Sequence, residues 1–402
     1  MRVASKKNII VVLLGLLALP LWGADESTAV WTRLYERARS YPQKQQIMMN
    51  IVEQHNREMI PVLTEALQEE LDNFSNVSGV TERSMQSELM RTIVKELGLL
   101  KAVPARNLVM RTVEVSDDSI LQAEAVMALG RMGARDYAEP LAMMLRNINF
   151  NLEGPQRQRE NETLAYALVF ALGRLKQAVG YEPVFFASRA WYSSRSGVKE
   201  LAEEVLTTMV EDPSEELLRI VVENDEYANK LAALQALERS EAPEEAKARG
   251  AAAGLNEGLK YTAGNISEGQ VLKSLRLYSL GMLEKYPMPE YPELIPQMKR
   301  MIRLYSADRV YDEDEMITLM EAMGSFTGEE EAARVLADFL AYYNYRRETS
   351  APDSYRIVRA LIQALGNIGH PAATEELTVV TMSEYWESSI QREAENALRK
   401  IR

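Results

Sequence analysis

The sequence predicts an all-α protein with the architecture of an α-solenoid, in which about nine helix pairs stack in series. Three observations support this fold class. A short apolar phrase returns along the chain, each copy ends a stretch of helical periodicity, and no stretch alternates apolar and polar residues as a half-buried strand does. The 402 residues, of which 47% are hydrophobic, are enough for a long array of this kind.

The repeated phrase is Ala-Leu-Gly, then one variable residue, then an apolar residue. Clear copies begin at Ala128, Ala171 and Ala364. When degenerate copies are included, the apolar anchor of the phrase lies at positions 97, 129, 172, 209, 237, 280, 323, 365 and 398. Successive anchors are roughly 30–45 residues apart, which is the period of a two-helix solenoid whose loops vary in length.

Each copy of the phrase ends an amphipathic helix, which we call the A helix. Ile357, Leu361 and Leu365 show the helical spacing of its apolar face. A second apolar stretch, the B helix, follows within a few residues, for example over 332–340. The glycine of the phrase is expected to cap the A helix, because glycine adopts a positive φ at low cost. That expectation applies to Gly130, Gly173 and Gly366.

Helix start signals agree with this pattern. Asp212 before Pro213 reads as an N-cap followed by the first helical residue, and Ser267 with Gln270 reads as a capping box. The acidic stretch 308–315 lacks the central glycine and the closing glutamate of a calcium-binding loop. It is therefore interpreted as the acid-rich start of a helix.

Residues 1–24 have the pattern of a secretory signal peptide. A basic start up to Lys7 precedes the uncharged stretch from Ile9 to Trp22, and cleavage is expected after Ala24. The uncharged stretch is shorter than the roughly 20 residues of a membrane-spanning helix, although an uncleaved anchor stays an alternative. No second long apolar run follows. The mature chain is therefore predicted to be periplasmic or secreted, without stable membrane insertion.

The mature chain is expected to divide by composition. Helical repeats are predicted over 25–240 and again over 270–402. The intervening segment 241–269 holds several glycines and is predicted to be irregular. Any bend or division of the array is expected within that segment.

Composition excludes several kinds of chemistry. The chain has no cysteine, so thiolate catalysis, Cys-ligated zinc and iron–sulfur clusters are ruled out. The two histidines, His55 and His370, lie far apart in sequence and cannot form a His-rich metal site. The net charge of -13 disfavours nucleic acid as a partner. No cofactor and no metal site are predicted.

The A helix ending in Ala-Leu-Gly and the short turn into a B helix resemble HEAT repeats, most of all the bacterial type grouped with phycobilisome lyases. The resemblance is strong over 116–180 and 353–402 and weak over 185–270. It implies a solenoid with a concave face and a binding or scaffolding role, and it implies no activity. The iron-dependent enzymes of this fold use His-Glu pairs, whereas His55 and His370 precede Asn56 and Pro371.

Aromatic and arginine residues recur between each B helix and the next A helix. These candidate partner-binding residues are Trp191, Tyr192, Arg195, Tyr305, Arg309, Tyr311, Tyr342, Tyr343, Tyr345, Arg346, Arg347, Tyr385 and Trp386. All such connections lie along one edge of a solenoid, and Tyr, Trp and Arg are enriched in binding hot spots. The alternative interpretation is that these rings close each B helix onto its neighbour inside the core.

Three functions are compatible with these observations. The first is an exported, non-catalytic scaffold that binds a protein or peptide partner. The second is a glycan- or cell-wall-binding protein that uses the aromatic edge, in which Trp191 and Trp386 would stack on sugar rings. The third is an enzyme that works with carboxylates alone, although no carboxylate pair is singled out by its spacing. The oligomeric state is left open.

Overall fold

The computed structural model describes residues 19–151, 154–260, 263–308, 310–349 and 354–401. The described residues form 20 α-helices and no strand, which confirms the all-α prediction. Residues 1–18 of the predicted signal peptide lie outside the described residues, and the first described helix begins at Leu19. Within the described part of the chain, no helix is both long enough and apolar enough to cross a membrane.

The chain divides into two compact units, Met1–Val210 and Glu211–Arg402. The helices of the first unit are α1 (Leu19–Arg37), α2 (Tyr41–Val52), α3 (Ile60–Asp72), α4 (Val80–Leu99), α5 (Arg106–Val115), α6 (Ser119–Met132), α7 (Ala138–Phe150), α8 (Pro155–Leu175), α9 (Tyr181–Ala187) and α10 (Val198–Leu206). Those of the second unit are α11 (Ser214–Glu223), α12 (Tyr227–Arg239), α13 (Glu244–Lys260), α14 (Ile266–Lys285), α15 (Leu294–Asp308), α16 (Glu313–Gly324), α17 (Glu330–Thr349), α18 (Tyr355–Ile368), α19 (Thr374–Met382) and α20 (Ser388–Lys400).

Each unit has two layers of helices. In the first unit the A helices α2, α4, α6, α8 and α10 pack side by side, and each of the B helices α3, α5, α7 and α9 packs against the A helix that follows it. In the second unit α12, α14, α16, α18 and α20 form the A layer, and α11, α13, α15, α17 and α19 form the B layer. Apolar side chains between the two layers make the core. This arrangement is that of an α-solenoid.

The glycine of the repeated phrase lies inside the A helix, so the predicted capping role of Gly130, Gly173 and Gly366 is wrong. A Cβ atom on Gly366 would lie 2.9 Å from the Cα atom of Ala397 in the next A helix. The same glycine-to-alanine contact joins Gly98 to Ala128, Gly130 to Ala171, and Gly324 to Ala364. The alanine belongs to the next copy of the phrase, so Ala and Gly together set the close approach of neighbouring A helices.

The A helices α6, α8 and α18 end two residues after this glycine. The capping residues there adopt the left-handed conformation, with φ of 71° at Gly133, 51° at Lys176 and 68° at Gly369. A left-handed residue after the last turn reverses the chain into the B helix. The predicted type of cap is therefore present, but it lies further along the chain than expected.

Helix starts follow the predicted chemistry with two changes of register. At the start of α11 the N-cap residue is Pro213, not Asp212 as predicted, and the first helical residue is Ser214. Asp312 forms a capping box with Glu315 at the start of α16, which confirms that the acidic stretch begins a helix. Asp212 accepts a hydrogen bond from the Ser214 N–H at 2.9 Å. The capping box predicted at Ser267 is wrong, because Asn265 caps α14 instead by accepting from the Glu268 N–H.

Polar side chains of the A helices satisfy the carbonyl groups at the ends of the preceding B helices. Gln122 Nε2 donates to the carbonyl oxygen of Val113 at 3.1 Å, and Lys230 Nζ donates to that of Val221 at 2.9 Å. Gln86, Arg276 and Gln391 make the same kind of bond in other repeats. The last carbonyls of a helix have no intrahelical partner, so each bond removes a desolvation cost.

Segment 241–269, which was expected to be irregular, contains the helix α13. Its glycines face neighbouring helices closely, and a Cβ atom on Gly254 would lie 2.6 Å from Ser279 Oγ. A Cβ atom on Gly258 would lie 2.7 Å from Arg276 Cγ. The glycines therefore serve helix packing, and the division between the two units falls after Val210.

Candidate functional site

Five of the predicted partner-binding rings are buried. Tyr343 is 1% exposed and Trp386 is 4% exposed. Tyr192, Tyr305 and Tyr311 are also buried. A ring inside the core offers no face to a partner, so these five residues are corrected from binding residues to packing residues. The burial of Trp386 also removes one of the two rings assigned to sugar stacking.

In the first unit, Trp191 and Tyr192 lie in the loop after the B helix α9 and bind the end of the preceding B helix, α7. Trp191 Nε1 donates to the carbonyl oxygen of Ile148 at 3.0 Å, and Tyr192 O–H donates to Asn149 Oδ1 at 2.7 Å. Asn149 Nδ2 in turn donates to the carbonyl oxygen of Pro183 at 2.8 Å. Burial raises the pKa of Tyr192, and the negative charge of a nearby glutamate adds to this shift. The pair therefore joins neighbouring repeats.

The second unit repeats this arrangement with a different ring. Trp386 Nε1 donates to Asn344 Oδ1 at 2.9 Å, and Asn344 Nδ2 donates to Glu376 Oε2 at 2.9 Å. Both asparagines are buried near the end of a B helix. Sequence reasoning missed Asn149 and Asn344. The available signal was a polar amide within an otherwise apolar stretch of helix.

Other members of the predicted set form an aromatic cluster in the second unit. The ring centroids of Phe339 and Tyr343 are 5.0 Å apart, and those of Tyr305 and Phe339 are 6.4 Å apart. Tyr342 stacks on Phe339 and accepts a hydrogen bond from Arg346 Nη1 at 2.7 Å. These contacts favour the interpretation in which the rings close a B helix onto its neighbours.

Tyr311 is held differently, by a cation. The guanidinium carbon of Arg276 lies 5.1 Å from the centroid of the Tyr311 ring. Burial raises the pKa of Tyr311, although the charge of Arg276 acts in the opposite direction. Two other predicted residues contact each other within the protein: Arg347 Nε donates a hydrogen bond to the carbonyl oxygen of Tyr385 at 2.7 Å.

Three predicted residues are exposed. The exposed fractions are 69% for Tyr345 and 54% for Tyr385, and Arg195 is exposed as well. Arg309 lies outside the described residues. The predicted set is divided between the two units, since Trp191, Tyr192 and Arg195 belong to the first and the others to the second. For the exposed residues, partner binding stays a prediction.

A groove on the B layer of the second unit is a stronger candidate. We call it the acidic groove; its volume is about 820 Å³, and it lies along α17 and α19. Six carboxylates and two cations line it, which gives an excess of four negative charges. The charged residues are Glu329, Glu330, Glu331, Asp338, Glu375, Glu376, Lys299 and Arg334. Val335 and Ala337 also line the groove, but both side chains are buried.

The charges of the acidic groove are only partly used inside the protein. Arg334 pairs with Glu330 one turn earlier on α17, and Glu376 is held by the amide of Asn344. Glu331, Asp338 and Glu375 are exposed to solvent. Acids in the first turns of α17 and α19 also lie at the positive ends of the helix dipoles, which stabilises both helices. The same placement concentrates negative charge at the surface.

The acidic groove can bind by charge, but its residues do not suggest a metal centre. Among the residues that the structure describes, no three His, Asp or Glu side chains are placed to hold a metal ion together. The open, solvated carboxylates can pair with cationic groups of a ligand. Each exposed pair contributes about 0–1 kcal/mol, so affinity there requires several pairs along an extended ligand.

Comparisons with known proteins agree with the repeat. Residues 121–147 match the family described as PBS lyase HEAT-like repeat. The match covers most of the helix pair α6–α7. This chain therefore contains a HEAT-like repeat, and the predicted resemblance to that family is confirmed. No curated protein matches the sequence.

Solved structures with similarity to this chain include the crystal structure of an engineered protein, a target of the Northeast Structural Genomics Consortium. It is 15% identical, the match covers 93% of this chain and 98% of that one, and the TM-score is 0.34. The crystal structure of SYS-1 is 10% identical, with 86% of this chain and 64% of that chain covered and a TM-score of 0.29. The fold assignment comes from the helix pairs themselves.

Proposed function

We propose that this HEAT-repeat protein is an exported, non-catalytic scaffold that binds a cationic segment of a partner protein in the acidic groove. The observation that carries the proposal is the excess of four negative charges along two adjacent B helices. The non-catalytic part is supported by the repeat fold and by the lack of cysteine. Repeat stacks offer extended surfaces, and a long ligand can contact several repeats at once.

Charge complementarity explains why a basic segment is favoured. The net charge of -13 raises the local concentration of cationic ligands, and the groove adds local negative charge. Tyr345 and Tyr385 are exposed near the other ends of α17 and α19, where they could anchor a longer segment.

A peptide titration tests this function. A labelled peptide of alternating Lys and Gly residues is titrated with the purified protein, and fluorescence anisotropy is measured at low and high salt. The variant Asp338→Asn with Glu375→Gln removes two exposed groove charges. Its affinity for the peptide is expected to fall on the order of tenfold, since each pair contributes up to about 1 kcal/mol.

A matched control separates the groove from net charge. The variant Glu384→Gln with Glu395→Gln removes two exposed acids of the same unit that do not line the groove. The control is expected to change affinity by less than about twofold. Equal weakening in both variants, or an absence of peptide binding, would show that the acidic groove is not the binding site.

Export is a separate part of the proposal. It is supported by the basic start, the uncharged stretch from Ile9 to Trp22, and the small residues Gly23 and Ala24. Amino-terminal sequencing of the mature protein from an envelope fraction is expected to begin at Asp25. Recovery of a chain that still contains Lys7 would contradict cleavage.

A further inference from the structure

A second groove lies on the A layer of the first unit, along α2, α4 and α6, and has a volume of about 590 Å³. Each of the three helices contributes one exposed apolar side chain. The exposed fractions are 42% for Met49, 47% for Leu99 and 54% for Ile120. Single exposed apolar residues are ordinary, but three that line one groove form a surface that favours an apolar partner.

The same groove contains two cations on one helix. Arg91 and Lys95 are one turn apart on α4, and both line the groove. Lys95 has no ion-pair partner among the residues that the structure describes. The guanidinium of Arg91 is 3.9 Å from a carboxylate oxygen of Glu88, which is a weak contact.

The carboxylates of this groove are already engaged. Glu96 is buried and lies 3.0 Å from Nδ1 of His55. Glu124 accepts a hydrogen bond from Arg131 Nη1 at 2.7 Å. Two cations and two carboxylates line the groove, but the side chains of Glu96 and Glu124 are only 4% and 14% exposed. The charges that a ligand can reach most easily are therefore those of Arg91 and Lys95, although the chain as a whole is strongly negative. We call this surface the basic apolar groove.

We infer that the basic apolar groove binds an acidic amphipathic helix of a second partner protein. The apolar face of that helix contacts Met49, Leu99 and Ile120, and its carboxylates pair with Arg91 and Lys95. Amphipathic helices bind in apolar grooves through side chains spaced three or four residues apart. The inference does not depend on the acidic groove, because it concerns another unit and a ligand of opposite charge.

Helix dimensions set the length of the ligand. Neighbouring helix axes are about 8–10 Å apart, so the distance from α2 to α6 across α4 is about 16–20 Å. A helix rises about 1.5 Å per residue, so about 11–14 residues reach from one side of the groove to the other. A segment of that length carries enough apolar positions for one contact with each A helix.

The experiment uses two labelled peptides of about 14 residues. The first has Leu at helical spacing and Glu elsewhere, and the second has Lys in place of Glu. Anisotropy titrations are made with the full protein, with Arg91→Glu plus Lys95→Glu, and with Ile120→Ser. The control variant, Lys101→Glu plus Arg135→Glu, makes the same charge change at exposed residues outside the groove.

The Glu peptide is expected to bind the unmodified protein. Its affinity should fall at least about tenfold in the Arg91/Lys95 variant, about threefold in Ile120→Ser, and less than about twofold in the control. Circular dichroism of each variant verifies that it is folded. The inference is overturned if the Glu peptide does not bind, or if the control weakens binding as much as the groove variant. It is also overturned if Ile120→Ser leaves the affinity unchanged.

Discussion

The contact between Gly366 and Ala397 allows a direct test of how the A layer is built. Gly366 lies in α18, and a Cβ atom added there would be 2.9 Å from both the Cα and the Cβ atoms of Ala397 in α20. Backbone atoms cannot rotate away as a flexible side chain can. The substitution Gly366→Ala therefore forces the two helices apart or strains them.

Gly281 provides the matched control. It lies inside α14 of the same unit, and an added Cβ atom would meet nothing within 4 Å. Alanine is favoured over glycine in a helix by about 1 kcal/mol, and both substitutions gain this amount. Overpacking costs about 1–3 kcal/mol, and only Gly366→Ala incurs it. The difference between the two variants isolates the cost of the helix contact.

Urea and thermal unfolding followed by far-UV circular dichroism measure that difference. Gly281→Ala is expected to be as stable as the unmodified protein or up to about 1 kcal/mol more stable. Gly366→Ala is expected to be about 1–3 kcal/mol less stable than Gly281→Ala. Its Tm should be lower by about 2–4 °C for each kcal/mol of this difference. Equal stabilisation by the two substitutions would refute the packing role of the glycine in the repeated phrase.

Three further predictions concern polar contacts. Lys230→Met removes the buried partner of Glu257 at 2.9 Å and leaves only the exposed Lys260 at 3.6 Å, so it should cost up to about 3–5 kcal/mol in urea unfolding, whereas adding Glu257→Leu should recover part of that loss. Trp386→Phe leaves the buried oxygen of Asn344 without its donor and should cost about 1–3 kcal/mol by the same assay. Burial opposes ionisation of Asp312, but hydrogen bonds from a lysine and from backbone N–H groups outweigh it and hold its pKa below the usual value. The stability that ionised Asp312 provides is present above about pH 4 and is lost as the pH falls further, so Asp312→Asn should flatten the acid side of a stability-versus-pH curve.

The sequence predicted the helices well because helical periodicity is a local property. It could not assign the glycine of the repeated phrase, since a helix cap and a helix contact both favour glycine near the end of an apolar helix. The deciding partner of Gly366 is Ala397, which lies one repeat away. A contact of that range depends on how the helices stack, and periodicity does not record it.

The candidate site was predicted less well for a related reason. Aromatic residues between repeats are typical of binding surfaces and of cores alike. The buried Trp386 donates a hydrogen bond to Asn344, which lies on α17, 42 residues earlier in the chain. The sequence did not predict the acidic groove, because its carboxylates lie on two different helices. Acidic residues near the start of a single helix indicate only that the helix begins there.

The central claim is that a cationic segment binds along α17 and α19. Hydrogen exchange of the protein with and without the Lys-Gly peptide, followed by mass spectrometry, tests it most directly. The claim predicts slower exchange over 329–338 and 372–376 on peptide addition, with other described segments unchanged. Unchanged exchange in both segments at saturating peptide, or protection confined to other helices, would contradict it.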